Sequence, residues 1–437
     1  MRSAPELATF PGVMAAPASS SLDPSAPSGI SRSAKLAVLV AALGYLVDIY
    51  DLILFGVVRI PSLRAIGVAP GDIDDVGHFL LDVQMAGMLG GGIVWGVIGD
   101  KRGRLSVLFG SILMYSVANI ANGFVSNVPT YAVLRFVAGF GLAGELGAGI
   151  TLVSELLPAK TRGWATTMVA GIGICGALLA VGVSKIASWY VAYWIGGVLG
   201  LALLALRVGV FESGMFARTK AQQEVARGNF LALFSSWDRA RRYLGVVLVG
   251  VPIWYAVGIL VFFGNAIGGA MGMDPRPDPA WGVFWCYFGL ALGDFASGIT
   301  SQLVKSRRRA LFAFGILNAL AVTYYFTIGP TSTSAFYAGC GLLGFANGYW
   351  AVFVTVAAEQ FGTNLRATAA TTAPNFVRGS LVIVSSAYLA LRATFGGEGA
   401  GEPMAAMVVG AVVITISLAS IAAIDESYGK ELDFVER

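Results

Sequence analysis

Residues 99–104 read GDKRGR and separate two long apolar runs, LDVQMAGMLGGGIVWGVI at 81–98 and LSVLFGSILMYSVANIANGF at 105–124. One acid, three bases and two glycines thus form a short hinge between segments that are each about long enough to cross a bilayer as an α-helix. The whole chain shares this character, because 56% of its 437 residues are hydrophobic and only 12% are charged. The mean hydropathy is +0.74. These values indicate an integral membrane protein.

Twelve apolar runs bounded by charged residues, Pro or Gly are predicted to span the membrane. They cover about 36–58, 77–98, 105–125, 130–156, 164–187, 189–210, 243–268, 281–303, 310–329, 334–357, 367–391 and 404–424. The expected fold is an all-α membrane protein with six transmembrane helices on each side of a polar stretch.

The domain organisation follows from these runs and from the composition between them. A Pro-, Ser- and Ala-rich start is typical of a disordered tail, and the polar stretch is compatible with short amphipathic helices at the membrane surface. The predicted segments are a cytoplasmic tail at 1–33, an N-terminal six-helix bundle at 34–211, a cytoplasmic linker at 212–241, a C-terminal six-helix bundle at 242–424 and a cytoplasmic tail at 425–437.

The basic residues predict the orientation. Most of the 29 lysines and arginines fall on one side of the membrane if both termini lie on that side, and Arg207 is counted there. Because basic residues concentrate in cytoplasmic loops, we expect both termini to be cytoplasmic in a cell (inner) membrane. The net charge of +4 is then loop charge that faces anionic lipid, and no nucleic-acid partner is needed to explain it.

An internal repeat relates the two predicted halves. SELLPAKTRGWATT at 154–167 follows the fourth run, and AEQFGTNLRATAATT at 358–372 follows the tenth. At an offset of 204 positions, Glu155 matches Glu359, and Arg162 matches Arg366. Two such halves imply a pseudo-twofold axis along the membrane normal, with a central cavity between them and transport by alternating access.

Two motifs resemble a known family. GVIGDKRGR at 96–104 is similar to the signature loop of the major facilitator superfamily, and RFVAGFG at 135–141 resembles its fourth-helix motif. GYLVDIYDLILFG at 44–56 and the Gly-Glu pair at 144–145 resemble the metabolite:proton symporter branch, with features shared by sugar porters. This resemblance implies co-transport of a small organic acid, zwitterion or related polar metabolite with a proton.

The hinge motifs are candidates for a gating latch that holds one conformation closed at the cytoplasmic face. The spaced glycines permit close helix packing, and the acid and bases can pair with helix ends, carboxylates or lipid phosphates. The counterpart loop KSRRRA at 305–310 lacks the acid and the glycines and so departs from the motif. The candidate latch residues are Gly96, Gly99, Asp100, Arg102, Gly103, Arg104, Glu155, Arg162, Glu359 and Arg366.

Acids within the apolar runs are candidates for proton coupling, because a carboxylate at the bilayer centre costs about 2.5–3.5 kcal/mol unless it has a partner or a water-filled cavity. Asp48 and Asp51 lie three residues apart on one helix face. Two close carboxylates in a low dielectric do not both ionise readily, so one is expected to hold a proton. Glu145 is a further coupling candidate, and Asp82 is a candidate gate nearer the outer end.

Two arginines lie within predicted spans. Arg378 is close to the midplane, and its planar guanidinium suits a substrate carboxylate, although a structural pair with Asp294 or another buried acid is the alternative. The family motif assigns Arg135 to coupling, and an ion pair with Asp51 or Asp82 is the competing interpretation.

The predicted cavity is completed by polar and aromatic side chains. Besides Arg378, the candidate substrate-binding residues are Asn375, Asp294, Tyr45, Trp254, Tyr255, Asn347 and Trp350, with Asn265 as a further possibility. The single histidine, His78, is expected at the outer surface, with a pH-sensing gate alongside Asp75 as the alternative.

The residues therefore predict a secondary transporter, not an enzyme, that couples a small organic anion or zwitterion to a cation, most simply a proton. No nucleophile–base pair, metal cluster or cofactor motif is present, and a monomer surrounded by lipid is expected. A drug or metabolite:proton antiporter of this fold remains open, although the fifth run AGIGICGALLAVG at 170–182 lacks the proline such antiporters usually carry. A sodium-coupled or facilitative carrier also remains open, since the same carboxylates could bind either cation.

Overall fold

The computed structural model describes residues 32–102, 104–145, 159–212, 230–429 and 436. Within these ranges the chain is helical. The α-helices are α1 (Arg32–Ala65), α2 (Ile73–Arg102), α3 (Arg104–Asn122), α4 (Val128–Leu142), α5 (Ala159–Ile186), α6 (Trp189–Glu212), α7 (Trp237–Tyr255), α8 (Gly264–Ala270), α9 (Pro279–Leu303), α10 (Arg307–Thr327), α11 (Thr333–Asn347), α12 (Trp350–Glu359), α13 (Thr363–Thr394) and α14 (Gly401–Ala423).

The twelve predicted spans correspond to these helices. In the described part of the chain, nine helical segments are long and apolar enough to cross a membrane, and three shorter apolar helices occupy the third, fourth and fifth predicted runs. The seventh run is divided into α7, a π-helical turn at Ala256–Val261 and α8, and the tenth into α11 and α12. Residues of the fourth run beyond 145 lie outside the described ranges.

Within each half, glycines allow one pair of helices to come into backbone contact, and the two pairs occupy corresponding positions in the two halves. A Cβ at Gly87 or Gly91 of α2 would strike a backbone carbonyl of α4, and a Cβ at Gly139 of α4 would strike that of Gln84. Gly289, Gly293 and Gly344 create the same contacts between α9 and α11. Small residues allow this close approach in membranes, where apolar burial does not drive helix association. The recurrence of the contacts supports two pseudo-symmetric six-helix halves.

The halves meet along a few helix pairs. In the first half α1 packs against α5 and α6, and α3 against α4 and α6, whereas in the second half α7 packs against α13 and α14. Contact between the halves is made chiefly by α2 with α13 and by α5 with α9. A site that is reached alternately from the two sides would lie along these pairs.

The segment after α14 is fixed to the second half. Glu426 accepts hydrogen bonds from the backbone N–H groups of Arg307 (2.8 Å) and Arg308 (3.3 Å) and from the Ser306 hydroxyl, so it caps the start of α10. Burial alone would raise the pKa of Glu426, but these hydrogen bonds and that from Tyr428 N–H lower it below its ordinary value.

The segment boundaries inferred from the sequence remain predictions. Residues 1–31 and 213–229 are outside the described ranges. The described part of the predicted linker holds a 3₁₀ turn at Phe230–Phe234, and α7 already begins at Trp237, within that linker.

Candidate functional site

Five residues from four helices meet between the two halves, and we call them the central site: Tyr45, Asp48, Asp294, Trp350 and Arg378. Tyr45 of α1 lies within electrostatic range of Arg378, Asp294 and Asp48, and it faces Trp350. The sequence identified all five as candidates. Their convergence unites residues more than 300 positions apart.

A break between α11 and α12 positions one wall of this site. Gly348 packs against the backbone of Gly293, and Ser297 Oγ donates a 2.6 Å hydrogen bond to the Gly348 carbonyl. The break exposes the first N–H groups of α12, and Ala351 N–H donates to Asp294 Oδ1 at 3.1 Å. Asp294 therefore stabilises a helix N-terminus, where a negative charge is favourable.

Arg378 is buried without an acidic partner. Its side chain is 4% exposed, and its Nη1 makes only a long 3.5 Å hydrogen bond to Asn375 Oδ1 on the same helix. Its Nε has no hydrogen-bond partner among the described residues, and its Cζ lies 5.5 Å from the centre of the Trp350 ring. The expected alternative, an ion pair with Asp294, is wrong, because the described structure contains no such pair and Asp294 caps α12 instead.

Other predicted cavity residues are used differently. Asn375 donates from Nδ2 to the Ala143 carbonyl at 2.9 Å, which links α13 to the end of α4 across the two halves. Tyr255 donates to the Ala406 carbonyl at 2.6 Å, between α7 and α14. Asn347 accepts a 2.7 Å hydrogen bond from Asn318 of α10. Tyr255 and Asn347 therefore brace helices within the second half, and Trp254 is buried in its apolar core.

Glu145 is paired with a residue that the sequence analysis assigned to a loop. Arg207 is buried near the end of α6 and binds Glu145 through both nitrogens, with Nη1 2.9 Å from Oε2 and Nη2 in contact with Oε1. A Cβ at Gly44 of α1 would lie 2.8 Å from Glu145 Oε1, so glycine is needed for the pair to approach α1. The signal was present in the sequence, since Arg207 falls inside the apolar run 189–210.

We expect this pair to stabilise the N-terminal half. Arg207→Met would leave the Glu145 carboxylate buried and unpaired, which should lower the free energy of unfolding by about 3–5 kcal/mol. Replacing both residues by methionine should recover most of that loss, because no buried charge remains. Melting of the purified variants in detergent measures both effects, and equal melting temperatures for the wild type and Arg207→Met would contradict the prediction.

Arg135 is also held differently from the expectation. It is fully buried and donates to three side-chain amide oxygens, those of Gln84, Asn119 and Asn122. The expected ion pair with Asp51 or Asp82 is absent from the described structure. Neither carboxylate oxygen of Asp51 has a hydrogen-bond partner there, and the same is true of Oδ1 of Asp82.

His78 is at the contact between the halves, so the expectation of a surface position is wrong. Its ring is 2% exposed and stacks on Phe263 with ring centres 3.4 Å apart. Its Nδ1 lies 3.4 Å from the Ser385 hydroxyl of α13, and Asp82, one turn further along α2, faces the same hydroxyl.

Two arginines make contacts between the halves at the predicted outer end, Arg59 through the neutral amide of Asn265 and Arg392 through an ion pair, and the sequence analysis did not anticipate them. Arg59 of α1 binds Asp74 at 2.8 Å and the amide oxygen of Asn265 at 2.8 Å. Arg392 of α13 binds Asp75 of α2 at 2.5 Å. These contacts hold the halves together at this end.

The predicted latch lies mostly outside the described residues. Gly103 and Glu155 lie outside the described residues. For Gly99, Asp100, Arg102, Arg104 and Arg162 the structure describes the helix backbone but not the surroundings of the residue. Gly96 faces Thr372 of α13, at 3.9 Å from a Cβ placed there. Glu359 forms an ion pair with Arg307 at 3.2 Å and accepts from Ser427 at 2.6 Å. The counterpart loop is therefore tied to α12 even without the acid and glycines.

Comparison with known proteins is consistent with this architecture. The family model of the Major Facilitator Superfamily matches residues 41–386. The chain belongs to this superfamily. A crystal structure of a D-xylose-proton symporter has the same fold, with a TM-score of 0.66 and 18% sequence identity over 91% of this chain and 99% of that chain.

Relatives with assigned names are transporters of metabolites. The 3-(3-hydroxy-phenyl)propionate transporter of Escherichia coli K12 is 28% identical over 82% of this chain and 89% of its own length. The putative niacin/nicotinamide transporter of Bacillus subtilis 168 is 24% identical over 78% of this chain and 84% of its own. The 4-hydroxybenzoate transporter of Pseudomonas putida is 25% identical over 62% of this chain and 75% of its own. This superfamily member is therefore an integral membrane transporter of a small molecule and not an enzyme.

Proposed function

We propose that this protein imports an aromatic or heteroaromatic monocarboxylate together with a proton. The observation that carries the proposal is Arg378, a buried guanidinium between the halves with no acidic partner in the described structure. A substrate carboxylate would supply the missing counter-charge through two parallel hydrogen bonds.

The surroundings of Arg378 favour an aromatic substrate. Trp350 and Tyr45 face the same space, and Tyr287 of α9 lies within electrostatic range of Arg378. Aromatic rings offer flat apolar surfaces with preferred edge and offset geometries for a second ring. The names of the three relatives support this substrate class, since 4-hydroxybenzoate, niacin and 3-(3-hydroxyphenyl)propionate each combine a ring with a carboxylate. The name of the Bacillus subtilis relative also includes nicotinamide, which carries an amide in place of the carboxylate.

For the coupling cation, the proposal assigns the proton to Asp51 rather than to Glu145. Glu145 is held by Arg207, whereas the oxygens of Asp51 receive no hydrogen bond from any described residue. A buried carboxylate without donors avoids the penalty of an uncompensated charge by binding a proton. Asp48 lies one turn from Asp51 on α1 and within electrostatic range of both Asp51 and Arg378 of α13. It would therefore link the proton site electrostatically to the substrate site.

The transport cycle is proposed to be alternating access. The two halves would rock about the central site, with the Arg59–Asn265 hydrogen bond and the Arg392–Asp75 ion pair opening at the outer end and the 96–104 hinge acting as a latch at the other. We further propose an inner-membrane location with cytoplasmic termini and a monomer in contact with lipid. Sodium coupling, facilitated diffusion and antiport are the competing outcomes of the experiment below.

The test uses proteoliposomes that contain the full chain and a pH dye in the lumen. External 4-hydroxybenzoate or nicotinate should acidify the lumen, and the neutral amides 4-hydroxybenzamide and nicotinamide should not. Protein-free liposomes report the acidification caused by unaided diffusion of the neutral acid, which is subtracted. D-Xylose and a cationic drug test the other substrate classes.

Each alternative gives a distinct signal in the same vesicles. Lumenal alkalinisation on addition of substrate indicates antiport. Uptake of labelled substrate without a proton signal indicates facilitated diffusion, or sodium coupling if a sodium gradient drives it. Uptake of the amides equal to that of the acids would remove Arg378 as the carboxylate partner.

A further inference from the structure

Asp294 opens on the space between the halves. Its side chain is half-buried, whereas the residues that share its face of α9 are buried, namely Tyr287, Leu290, Ser297 and Ser301. Because that face is covered by other helices along its whole length, the exposed part of Asp294 cannot be turned towards the lipid. It therefore faces the central site.

One oxygen of this carboxylate is unused. Oδ1 accepts the 3.1 Å hydrogen bond from Ala351 N–H, and no described residue donates to Oδ2. Each carboxylate oxygen can accept hydrogen bonds, so Oδ2 is free for a donor on a bound molecule. Ala351 directly follows Trp350, whose ring lies against Arg378. The start of α12 thus positions both the free oxygen and the surroundings of the guanidinium.

Arg378 and Asp294 lie at opposite ends of the central site. Tyr287 of α9 is within electrostatic range of Arg378. Asp294 lies about two turns, or about 10 Å, further along the same face of α9. Tyr45 is within range of all three residues, so its ring lies between the two ends. The space between guanidinium and free carboxylate oxygen is therefore about as long as a para-substituted benzene ring with one hydrogen bond at each end.

We propose that Asp294 determines specificity by accepting a hydrogen bond from a hydroxyl group on the substrate ring, opposite the carboxylate that Arg378 holds. This rests on the proposed binding of an aromatic carboxylate by Arg378. A hydroxyl group that donates to a carboxylate makes a strong, charge-assisted hydrogen bond. A second carboxylate at that end of the ring would instead bring like charges together. The site therefore selects ring-hydroxylated monocarboxylates over unsubstituted ones and rejects aromatic dicarboxylates.

Four ligands that differ at the para position test this in the wild-type protein. They are benzoate, 4-hydroxybenzoate, 4-methoxybenzoate and the dicarboxylate terephthalate, titrated calorimetrically into the full chain in detergent at neutral pH. 4-Hydroxybenzoate should bind about 10- to 100-fold more tightly than benzoate. 4-Methoxybenzoate keeps the oxygen but has no donor, so it should bind no more tightly than benzoate. Terephthalate should bind more weakly than benzoate.

Asp294→Asn should change the order of these ligands. The amide oxygen can keep the hydrogen bond from Ala351 N–H, which leaves the NH2 group towards the substrate, so a donor replaces the free acceptor. The advantage of 4-hydroxybenzoate over benzoate should fall by about 10-fold. Terephthalate should now bind more tightly than benzoate. A general loss of stability would weaken all four ligands and would not invert their order.

Ser297→Ala is the matched control. Ser297 lies one turn further along α9 and bonds the same break between α11 and α12 through the Gly348 carbonyl, but it carries no charge. If the break alone sets the affinities, this variant should weaken all four ligands by the same factor. The ratios between the ligands should therefore equal those of the wild type.

Equal affinities of the wild type for benzoate and 4-hydroxybenzoate would overturn the role of Asp294. Tighter binding of 4-methoxybenzoate than of benzoate, unchanged ratios in Asp294→Asn, or the same change of ratios in Ser297→Ala would also overturn it. If Asp294→Asn does not fold, the four ligands in the wild type decide alone.

Arg378→Gln separates this proposal from the one on which it rests. If benzoate binds equally well to that variant and to the wild type, Arg378 does not hold the substrate carboxylate. If benzoate binding is lost in Arg378→Gln but the ligand ratios are the same in the wild type and Asp294→Asn, only the role of Asp294 is rejected.

Discussion

Arg378→Gln is expected to lower the affinity for 4-hydroxybenzoate by about 100-fold or more, because removing one partner of a buried, hydrogen-bonded charge pair costs about 2–5 kcal/mol. Affinity for 4-hydroxybenzamide should change little, since an amide brings no negative charge to the guanidinium. Arg378→Lys should produce an intermediate loss, because an ammonium retains the charge but not the two parallel donors. Quenching of tryptophan fluorescence by ligand in detergent measures these affinities without requiring transport.

Arg64→Gln supplies the control for general loss of positive charge, because Arg64 lies exposed at the end of α1. Its affinity for the acid should equal that of the wild type. If Arg378→Gln weakened the acid and the amide equally, Arg378 would be a structural residue, and the substrate class would have to be sought elsewhere in the central site.

The membrane spans could be predicted because the deciding property is local. A run of about 20 apolar residues has few alternatives to a transmembrane helix. The division into two halves could also be predicted, because the internal repeat is visible from two matching polar hinges in the sequence. The break after Tyr255 did not follow from hydropathy, because residues 256–261 are as apolar as the helix before them. At the second break the more polar Asn347, Gly348 and Tyr349 lie within a run that is otherwise apolar, so the average over that run hides them.

The partners of the buried charges were harder to predict. Sequence reasoning looked for carboxylates to pair with Arg135, but three neutral amides from α2 and α3 hold it instead. Asn and Gln carry no charge, so nothing in their spacing marks them as partners of a cation. The misassignment of Arg207 arose because counting basic residues by side treats every arginine near a helix end as a loop residue.

His78 shows a third limit. Its position at the start of an apolar run resembles a surface position, and its ring partner Phe263 lies in the other half of the chain. Contacts between the halves bring together residues that no local pattern relates. The residues of the central site could be predicted, because charged residues within membrane spans are few. Their arrangement around one another could not be predicted.

Asp51→Asn is expected to abolish uphill accumulation. The amide closely matches the carboxylic acid in size but cannot release a proton, so the accumulation ratio driven by a proton gradient should fall to about 1, the value for a carrier without coupling. Exchange of labelled for unlabelled substrate should remain, because it needs only rocking of the loaded halves. Both are measured in one preparation of proteoliposomes, with and without an imposed pH gradient.

Asp294→Asn is the comparison variant, because Asp294 is also an aspartate within a membrane span and belongs to the central site, but it bonds the start of α12. An amide oxygen can still accept that hydrogen bond, so the accumulation ratio should stay above 1 in this variant whatever change its place in the central site makes to substrate affinity, with some loss of thermal stability because the favourable charge at the helix start is gone. If Asp294→Asn lost accumulation and Asp51→Asn retained it, the proton would be carried in the second half next to the substrate. The sequence assigned Asp51 to coupling and Asp294 to substrate binding, and the structure separates them by their hydrogen bonds, because Asp294 has a donor and Asp51 has none among the described residues.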